Sequence, residues 1–295
     1  MTMAFARMDL ALPLIDAALA EDVGSGDATT QATVPADARA EAVILAKEEG
    51  VLCGLGVARA VFERVEPAAV FEADASDGDA VSPGQVVARV TGPARGLLTA
   101  ERTALNFLQH LSGIATAARR AAGALEGTGV RVLDTRKTIP GMRLLAKYAV
   151  RCGGGENHRQ GLYDMVLIKE NHIAAAGGIP AAVRRAREQR PDLRIEVEVT
   201  DLAELDQALT SGVDRVMLDN FTPERVRAAV DRIRGWTERA GRARPEVEIS
   251  GRITAETARS YALPGVDFMS SGALTHSARA LDLSMELQLL PPAGR

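Results

Sequence analysis

Basic side chains concentrate in one stretch of an otherwise mildly acidic chain. Residues 131–172 hold eight arginines and lysines against four acids, whereas the whole 295-residue chain has a net charge of -4. Three of its four lysines, Lys137, Lys147 and Lys169, fall in this stretch. Arginine binds carboxylates and phosphates through paired hydrogen bonds, and lysine binds them as a point charge. The stretch therefore predicts a site for a substrate with several carboxylates or phosphates.

The position of these cations along the chain separates two interpretations. Arg136, Lys137 and Lys169 directly follow predicted strands, where barrel enzymes place their functional groups, so we interpret them as an anion site. A second set of cations is spaced four residues apart, which also fits one solvated face of a helix. This set is Arg143, Lys147 and Arg151.

Two acids stand apart from the cations at the ends of two neighbouring predicted strands. These acids, Glu198 and Asp219, form the kind of carboxylate pair that holds Mg²⁺ or offsets positive charge developing on a sugar. A structural ion pair with Lys169 is the alternative. The turns Ser250-Gly251 and Ser271-Gly272 follow the last two strands. In barrels, such late loops bind phosphate through backbone N–H groups.

The elements that must position these residues alternate between strand and helix over the second part of the chain. Six helical segments separate or precede most of the strands, the first being a long helix over 97–125. This alternation predicts a parallel barrel that is incomplete, since eight strands are usual, or else a doubly wound open sheet. The predicted strands are 130–134, 164–168, 193–199, 213–218, 246–249 and 266–269.

The first part of the chain follows a different pattern. Strand-like runs at 40–46 and 69–73 flank a helical segment at 57–65, and two turn-and-strand units follow at 77–90. These runs predict a small α+β domain built on an antiparallel sheet. Leu10, Leu14 and Ala18 have the spacing of a short amphipathic helix before it.

Composition excludes several classes of protein. With 46% hydrophobic and 25% charged residues, the chain is that of an ordinary globular protein, and its mild acidity gives no reason to expect nucleic acid as a partner. No apolar run approaches the roughly 18 residues that span a bilayer, so we expect no membrane partner. Cys53 and Cys152 support neither a disulfide framework nor a zinc site, and they fit a reducing cytoplasm.

The motifs that carry the chemistry resemble those of the carboxylating nicotinate-nucleotide pyrophosphorylases, also called quinolinate phosphoribosyltransferases. The resemblance runs in order from about residue 20 to 285. One departure is Ser250-Gly251-Arg252, where the family usually has Ser-Gly-Gly. The matching stretches are EDVGSGD at 21–27, AERTALNFLQ at 100–109, LSGIAT at 111–116, LDTRKT at 133–138, KYAVRCGGG at 147–155, NHR at 157–159, LIK at 167–169 with NH at 171–172, EVEV at 196–199, LDNF at 218–221 and GALTHS at 272–277.

The resemblance implies a fold and an assembly. The fold is an N-terminal α+β sandwich domain over 1–115 and a C-terminal incomplete, six-stranded α/β barrel over 116–280, with the chain returning to the first domain near 280–295. The assembly is a homodimer, or a higher oligomer, in which the N-terminal domain of one subunit covers the barrel mouth of its partner. We expect a cytoplasmic enzyme.

The resemblance also implies a reaction, in which quinolinate and phosphoribosyl pyrophosphate give nicotinate mononucleotide, pyrophosphate and CO₂ in NAD biosynthesis. It implies Lys137, Lys169, Glu198 and Asp219 as catalytic residues, the two acids also meeting Mg²⁺ through substrate or water. It implies further residues that bind substrate, with Arg102 donated across the dimer interface. These are Arg102, Arg136, His158 and Arg159 for the quinolinate carboxylates, and Ser250, Gly251, Ser271 and Gly272 for the 5′-phosphate.

Three other functions remain open from the residues. A related phosphoribosyltransferase group associated with molybdenum uptake shares many of these motifs. A barrel lyase could use Lys169 as a Schiff base, because a lysine among cations has a lowered pKa. A binding protein without catalytic activity is the third alternative, and Glu198→Ala and Asp219→Ala would leave its ligand-dependent function unchanged.

Overall fold

A computed structural model describes residues 7–251 and 253–291 of the chain. The order of elements begins with α1 (Met8–Val23), α2 (Ala28–Thr33), β1 (Arg39–Ala46), β2 (Gly50–Val51), α3 (Leu55–Val65), β3 (Val70–Ala73), β4 (Ala80–Val81), β5 (Val86–Pro93) and α4 (Ala94–Ala124). It continues with β6 (Arg131–Leu133), α5 (Arg143–Cys152), β7 (Val166–Ile168), α6 (Glu170–Ala176), α7 (Ile179–Gln189), β8 (Ile195–Val199), α8 (Leu202–Ser211), β9 (Arg215–Asp219), α9 (Pro223–Ala240), β10 (Glu246–Ser250), α10 (Ala255–Tyr261), β11 (Phe268–Ser270), α11 (Ala273–His276) and β12 (Leu283–Leu289).

The chain divides into two compact units. The first comprises the residues up to 119, residues 138–154 and those from 274 onward, and the second comprises 120–137 and 155–273. The bounds predicted from sequence, 1–115 and 116–280, stay a prediction. Segment 138–154 belongs to the first unit because the end of α5 lies directly on α4. A Cβ on Gly153 would come within 2.3 Å of the Ala115 carbonyl oxygen, so only glycine permits this approach.

The first unit contains the predicted antiparallel sheet, with strands in the order β12-β1-β5-β3. Strand β1 alternates buried and less buried residues, so one face, including Ala42 and Ile44, contributes to the core. The chain returns to this unit at its last strand, where β12 pairs along β1 from Leu283 to Leu289. Cys53 and Cys152 are buried free thiols in this unit.

The second unit contains six parallel strands in the order β6-β11-β10-β9-β8-β7. Each of the strands from β7 to β11 lies beside the next in sequence, and the first strand, β6, lies beside the last, β11. This cyclic order is that of a barrel, so the predicted incomplete barrel is confirmed and the doubly wound alternative is wrong. Strands β6 and β7 do not pair with each other. At that break Glu156 runs parallel to Leu133, and the Glu156 N–H donates to the Val132 carbonyl at 2.8 Å.

All six strands predicted for the barrel are present, and the long helix predicted over 97–125 is α4. Helix α6 was not predicted. Its sequence, ENHIAAA, has one large apolar residue and no apolar stripe, and none of its seven residues is buried. The solvated-face interpretation is wrong for Lys147, since its side chain is buried on α5. Among the described helices, none has both the length and the apolar character that a bilayer crossing requires.

Candidate active site

A cavity of about 280 Å³ lies inside the second unit, at the C-terminal ends of the barrel strands. Leu167 and Met217 give it an apolar part, and charged groups from several strand ends give it a polar part. Six residues predicted for the site line it together, namely Arg136, Lys137, His158, Arg159, Lys169 and Ser250. The remaining lining residues are Asp134, Thr135, Leu167, Met217, Glu248 and Ser270.

Two arginines in the cavity carry donors that no protein group uses. Arg159 is about nine-tenths buried, and its Nη1 donates to the Met165 carbonyl at 3.2 Å. Burial lowers the pKa of Arg159, as does the neighbouring charge of Arg136, while Asp164 and Glu196 oppose the shift. The Nε atoms of Arg136 and Arg159 are buried without a hydrogen-bond partner. Because buried donors are normally paired, two adjacent guanidinium groups in this state indicate a site for an anion.

His158 is fixed from both sides by buried carboxylates. Its backbone N–H donates to Asp134 Oδ1 at 2.9 Å, and Asn157 donates to the other oxygen of the same carboxylate at 2.6 Å. The ring Nε2 lies 2.7 Å from Glu196 Oε2 and 3.6 Å from Glu248 Oε2. Both glutamates are fully buried. The imidazole ring is therefore held in place against two buried carboxyl groups.

Glu198 and Asp219 are both half-buried near the end of the barrel strands and belong to one charged cluster. Lys169 contacts Glu198 directly through an ion pair. Asp219 Oδ2 accepts a hydrogen bond from Asn220 Nδ2 at 2.7 Å. Burial raises the pKa of Asp219, the Glu198 charge raises it further, and Lys169, the Asn220 hydrogen bond and Lys137 oppose the shift. The Lys169–Glu198 ion pair, which the sequence offered as an alternative, is therefore present. It does not remove the repulsion between the Glu198 and Asp219 carboxylates, which still raises the Asp219 pKa.

These two carboxylates fit a divalent cation. Mg²⁺ prefers oxygen ligands and is commonly bound by one or two carboxylates together with substrate phosphates. A cation beside Glu198 and Asp219 would relieve the repulsion that raises the Asp219 pKa.

The residues predicted for phosphate lie at the ends of adjacent strands, because β10 and β11 pair up to Ser250 and Ser270. Gly251 has φ +145, and a Cβ there would approach Asn220 Oδ1 to 2.9 Å, so the position requires glycine. The Ser271 N–H donates to the Leu133 carbonyl at 3.1 Å. Gly272 follows directly, and Arg252, the departure from the family pattern, lies outside the described residues.

Two further observations complete the placement of the predicted residues. Arg102 is exposed on α4 in the first unit. Glu248, in contrast, lines the cavity and was missed by sequence reasoning. The signal was a strand pattern shared by Glu196-Val197-Glu198 and Glu246-Val247-Glu248. Because side chains alternate along a strand, each pattern places two carboxylates on the same face of its strand.

Two family models match the chain and together cover most of it. The N-terminal domain of quinolinate phosphoribosyl transferase matches residues 27–112, and the C-terminal domain of the same family matches residues 114–286. Among curated relatives, a nicotinate-nucleotide pyrophosphorylase [carboxylating] of Mycobacterium leprae is 45% identical over 291 residues, covering 95% of this chain and 98% of the relative. A chloroplastic protein of that name from Arabidopsis thaliana is 43% identical, covering 93% and 82%.

Solved structures agree with the relatives. The nicotinate-nucleotide pyrophosphorylase of Francisella tularensis superposes with a TM-score of 0.89 at 42% identity, covering 95% of this chain and 96% of that one. A structure titled NadC from Streptococcus pyogenes has a TM-score of 0.91 at 41% identity, covering 98% and 100%. The similarity thus extends over both units.

Proposed function

Since the chain belongs to the quinolinate phosphoribosyltransferase family, we propose that its barrel cavity is where quinolinate is joined to phosphoribosyl pyrophosphate. The enzyme is a carboxylating nicotinate-nucleotide pyrophosphorylase, a pentosyltransferase of NAD biosynthesis. Its products are nicotinate mononucleotide, pyrophosphate and CO₂.

The main support for placing the reaction in this cavity is the pair of buried, unpartnered Nε atoms on Arg136 and Arg159. Quinolinate has two adjacent carboxylates, and two neighbouring guanidinium groups match them through paired hydrogen bonds. His158 and Lys169 line the same cavity and add positive charge. Lys137 lies there too, at the end of β6, where it meets the negative charge of the second substrate.

The charges of the cluster account for the first chemical step. As pyrophosphate leaves the sugar, positive charge develops on the ribose ring, and the carboxylates of Glu198 and Asp219 offset it. The pyridine nitrogen of quinolinate then bonds to the anomeric carbon and becomes a pyridinium. Holding two anionic substrates in one cationic cavity supplies much of the rate enhancement, and no side-chain nucleophile is required.

The second step is loss of CO₂ from the ring carbon next to the new pyridinium. The adjacent cationic nitrogen stabilises the electron pair that the breaking bond leaves on this ring carbon. Arg136 and Arg159 hold the pyridine ring and its carboxylates in a fixed position until CO₂ leaves. Glu198 and Asp219 are the residues that would hold Mg²⁺, which would supply positive charge against the leaving pyrophosphate. Ser250, Gly251, Ser271 and Gly272 are the group we assign to the 5′-phosphate.

Schiff-base chemistry at Lys169 is disfavoured by its surroundings. Its nitrogen is engaged in an ion pair with Glu198, whereas a Schiff-base lysine needs that nitrogen available to attack a carbonyl carbon. The molybdenum-associated alternative is disfavoured as well, since the relatives that cover nearly the whole chain are named for nicotinate-nucleotide or quinolinate chemistry.

We also propose a cytoplasmic homodimer with shared active sites. The exposed guanidinium of Arg102 on α4 supports the shared site, because a charged side chain free of the protein's own core is available to a neighbouring subunit. The two buried free thiols support a reducing compartment. Sedimentation velocity and mixing of Arg102→Ala subunits with Lys169→Ala subunits test the dimer: recovery of part of the activity on mixing is the expected result.

Purified protein mixed with quinolinate, phosphoribosyl pyrophosphate and Mg²⁺ tests the reaction. We expect nicotinate mononucleotide and CO₂ in equal amounts, with neither product when any one addition is omitted. Nicotinate in place of quinolinate serves as the control for the second carboxylate, and it should give no CO₂. A folded protein that forms no nucleotide under these conditions would contradict the assignment.

A further inference from the structure

The reaction proposed above leaves one atom to be accounted for. When CO₂ departs, the bonding electron pair stays on the ring carbon, and that carbon must receive one proton in every turnover. Resting on the proposed function, we infer that Glu248 is a further catalytic residue, the acid that delivers this proton to the ring carbon. The step breaks the O–H bond of the Glu248 carboxyl, forms the C–H bond of the product, and leaves Glu248 as a carboxylate.

The place of Glu248 in the barrel suits a donor to the substrate ring. It lies on β10 among the residues that line the cavity, together with His158, Arg159 and Lys169. Its side chain is fully buried from bulk water. An acid in this position delivers its proton to a bound ligand and is shielded from losing it to solvent.

The hydrogen bonds of Glu248 distinguish its two oxygens. Oε2 accepts from Arg215 Nη1 at 3.2 Å and lies 3.6 Å from the His158 ring. Oε1 is buried with no hydrogen-bond partner of normal geometry, although the Ser270 hydroxyl lies close enough to influence it. A charged carboxylate with a buried, unpartnered oxygen is costly, whereas burial penalises the neutral acid much less. The geometry therefore fits a neutral acid with its proton on Oε1.

The charges around Glu248 set its protonation. Burial raises its pKa to about 8, and the negative charge of Glu196 on β8 contributes to the rise. His158, the Ser270 hydroxyl on β11 and Arg215 on β9 act in the opposite direction. At neutral pH the acid therefore keeps its proton. After the transfer, Arg215 and His158 stabilise the carboxylate until the product leaves and water entering the empty cavity returns a proton.

Other groups in the cavity are less suited to this role. Both oxygens of Asp134 already accept hydrogen bonds, at 2.6 Å from Asn157 and 2.9 Å from the His158 N–H. The Lys169 ammonium is held by Glu198, and the His158 ring is held by Glu196 at 2.7 Å. Each of these groups is thereby engaged with a neighbouring carboxyl group instead of being directed at the substrate ring.

Glu248→Gln tests the inference, because the amide keeps the size of the side chain and cannot donate as an acid. General acids contribute a factor of about 10² to 10⁴, so we expect kcat to fall at least about 100-fold. The Michaelis constants of both substrates should change less than about threefold, since the binding cations remain. The matched control is Glu246→Gln on the same strand, whose carboxylate also pairs with Arg215 but does not line the cavity. This control should keep kcat within about threefold.

The pH profile separates a donor from a structural residue. A donor must be protonated, so wild-type kcat should be constant below about pH 8 and fall above it. Glu248→Asp should keep such a basic limb, and Glu248→Gln should lose it. Normal kcat in Glu248→Gln, or the same basic limb in both variants, overturns the inference. A wild-type enzyme that makes no nucleotide contradicts the proposed function instead.

Folding of Glu248→Gln is checked by calorimetric binding of quinolinate. If the variant does not fold, the pH dependence of wild-type kcat alone tests the inference. A kcat that stays flat from neutral pH to about pH 9.5 overturns the inference, and a tenfold fall per pH unit above the limb supports it.

Discussion

The two ends of the same six barrel strands use the same residue types for different purposes. At the C-terminal ends, cations and acids surround a cavity, and several donors and acceptors have no protein partner. At the N-terminal ends, arginines and acids pair with each other. Arg215 donates twice to Glu246, at 2.8 and 3.0 Å, and Arg244 donates twice to Asp267, at 2.6 and 2.7 Å. The same residue types therefore form structural ion pairs where each has a protein partner, and a binding site where some hydrogen-bonding atoms have none.

Aromatic contacts strengthen the contrast. The guanidinium groups of Arg131 and Arg215 each lie 4.2 Å from the centroid of the Phe268 ring at the start of β11. Arg194 also donates to Glu246, at 2.7 Å. At this end every one of these cations has a carboxylate or a ring to contact, so little binding capacity is left for a ligand. The following predictions test whether function and stability separate along the strands in this way.

The largest effect is expected from the acids at the C-terminal ends. Glu198→Gln and Asp219→Asn should each lower kcat by about 10² to 10³, as loss of one group that stabilises transition-state charge usually does. The midpoint of thermal unfolding should stay within a few degrees of the wild type. Steady-state kinetics and calorimetry measure both. Activity within tenfold of the wild type in both variants would remove these acids from the mechanism.

The next effect concerns quinolinate binding. Arg136→Ala and Lys169→Ala should weaken quinolinate affinity about 10- to 100-fold, because each removes a charged hydrogen bond of about 1.5–3 kcal/mol. Both proteins should remain folded. Arg131→Ala is the matched control, since Arg131 starts the strand that Arg136 follows. Saturation kinetics that match the wild type in Arg136→Ala would count against the cavity as the quinolinate site.

A stability effect without a kinetic effect is expected at the other end. Asp267→Ala leaves the Arg244 guanidinium and the Val247 N–H without their shared acceptor. We expect the free energy of unfolding to fall by about 1–3 kcal/mol, the usual cost of unsatisfied partly buried donors, with kcat/KM unchanged. Urea titration measures the loss. A drop in kcat/KM larger than the drop in the folded fraction would contradict the view that the N-terminal strand ends affect stability alone.

The smallest effect is expected from Arg131. Arg131→Ala removes a ring contact and a half-exposed ion pair with Glu156. Such contacts contribute about 0.5–1 kcal/mol, so the unfolding midpoint in urea should shift slightly and quinolinate affinity should not change. A large loss of affinity would mean that the two ends of β6 are not independent.

Much of the second unit could be predicted from sequence, because short local patterns of apolar and polar residues mark many of its strands. Strands β6, β7 and β9 each contain a short apolar run followed by polar residues, so the amino-acid pattern alone indicates the strand ends near Arg136, Lys169 and Asp219. Glu248 was not predicted, because a glutamate inside a strand resembles an exposed position until the barrel closes around it. The family resemblance already grouped Arg136 with Arg159, but only the fold showed that their Nε atoms are buried without a partner. Helix α6 was missed since no apolar stripe marks it.

The four-stranded and the six-stranded sheet each include a strand from late in the chain, which has a consequence for folding during synthesis. Strand β1 pairs with β12, and β6 pairs with β11, so two early strands wait for partners made more than a hundred residues later. Contacts of such long sequence separation form slowly. A nascent chain that ends before Phe268 leaves unpaired the edge of β6 that later faces β11, because the Glu156 bridge lies on the opposite edge. Emergence of the final strands from the ribosome is thus the event that lets each sheet close, and open strand edges up to that moment are the ones a chaperone would cover.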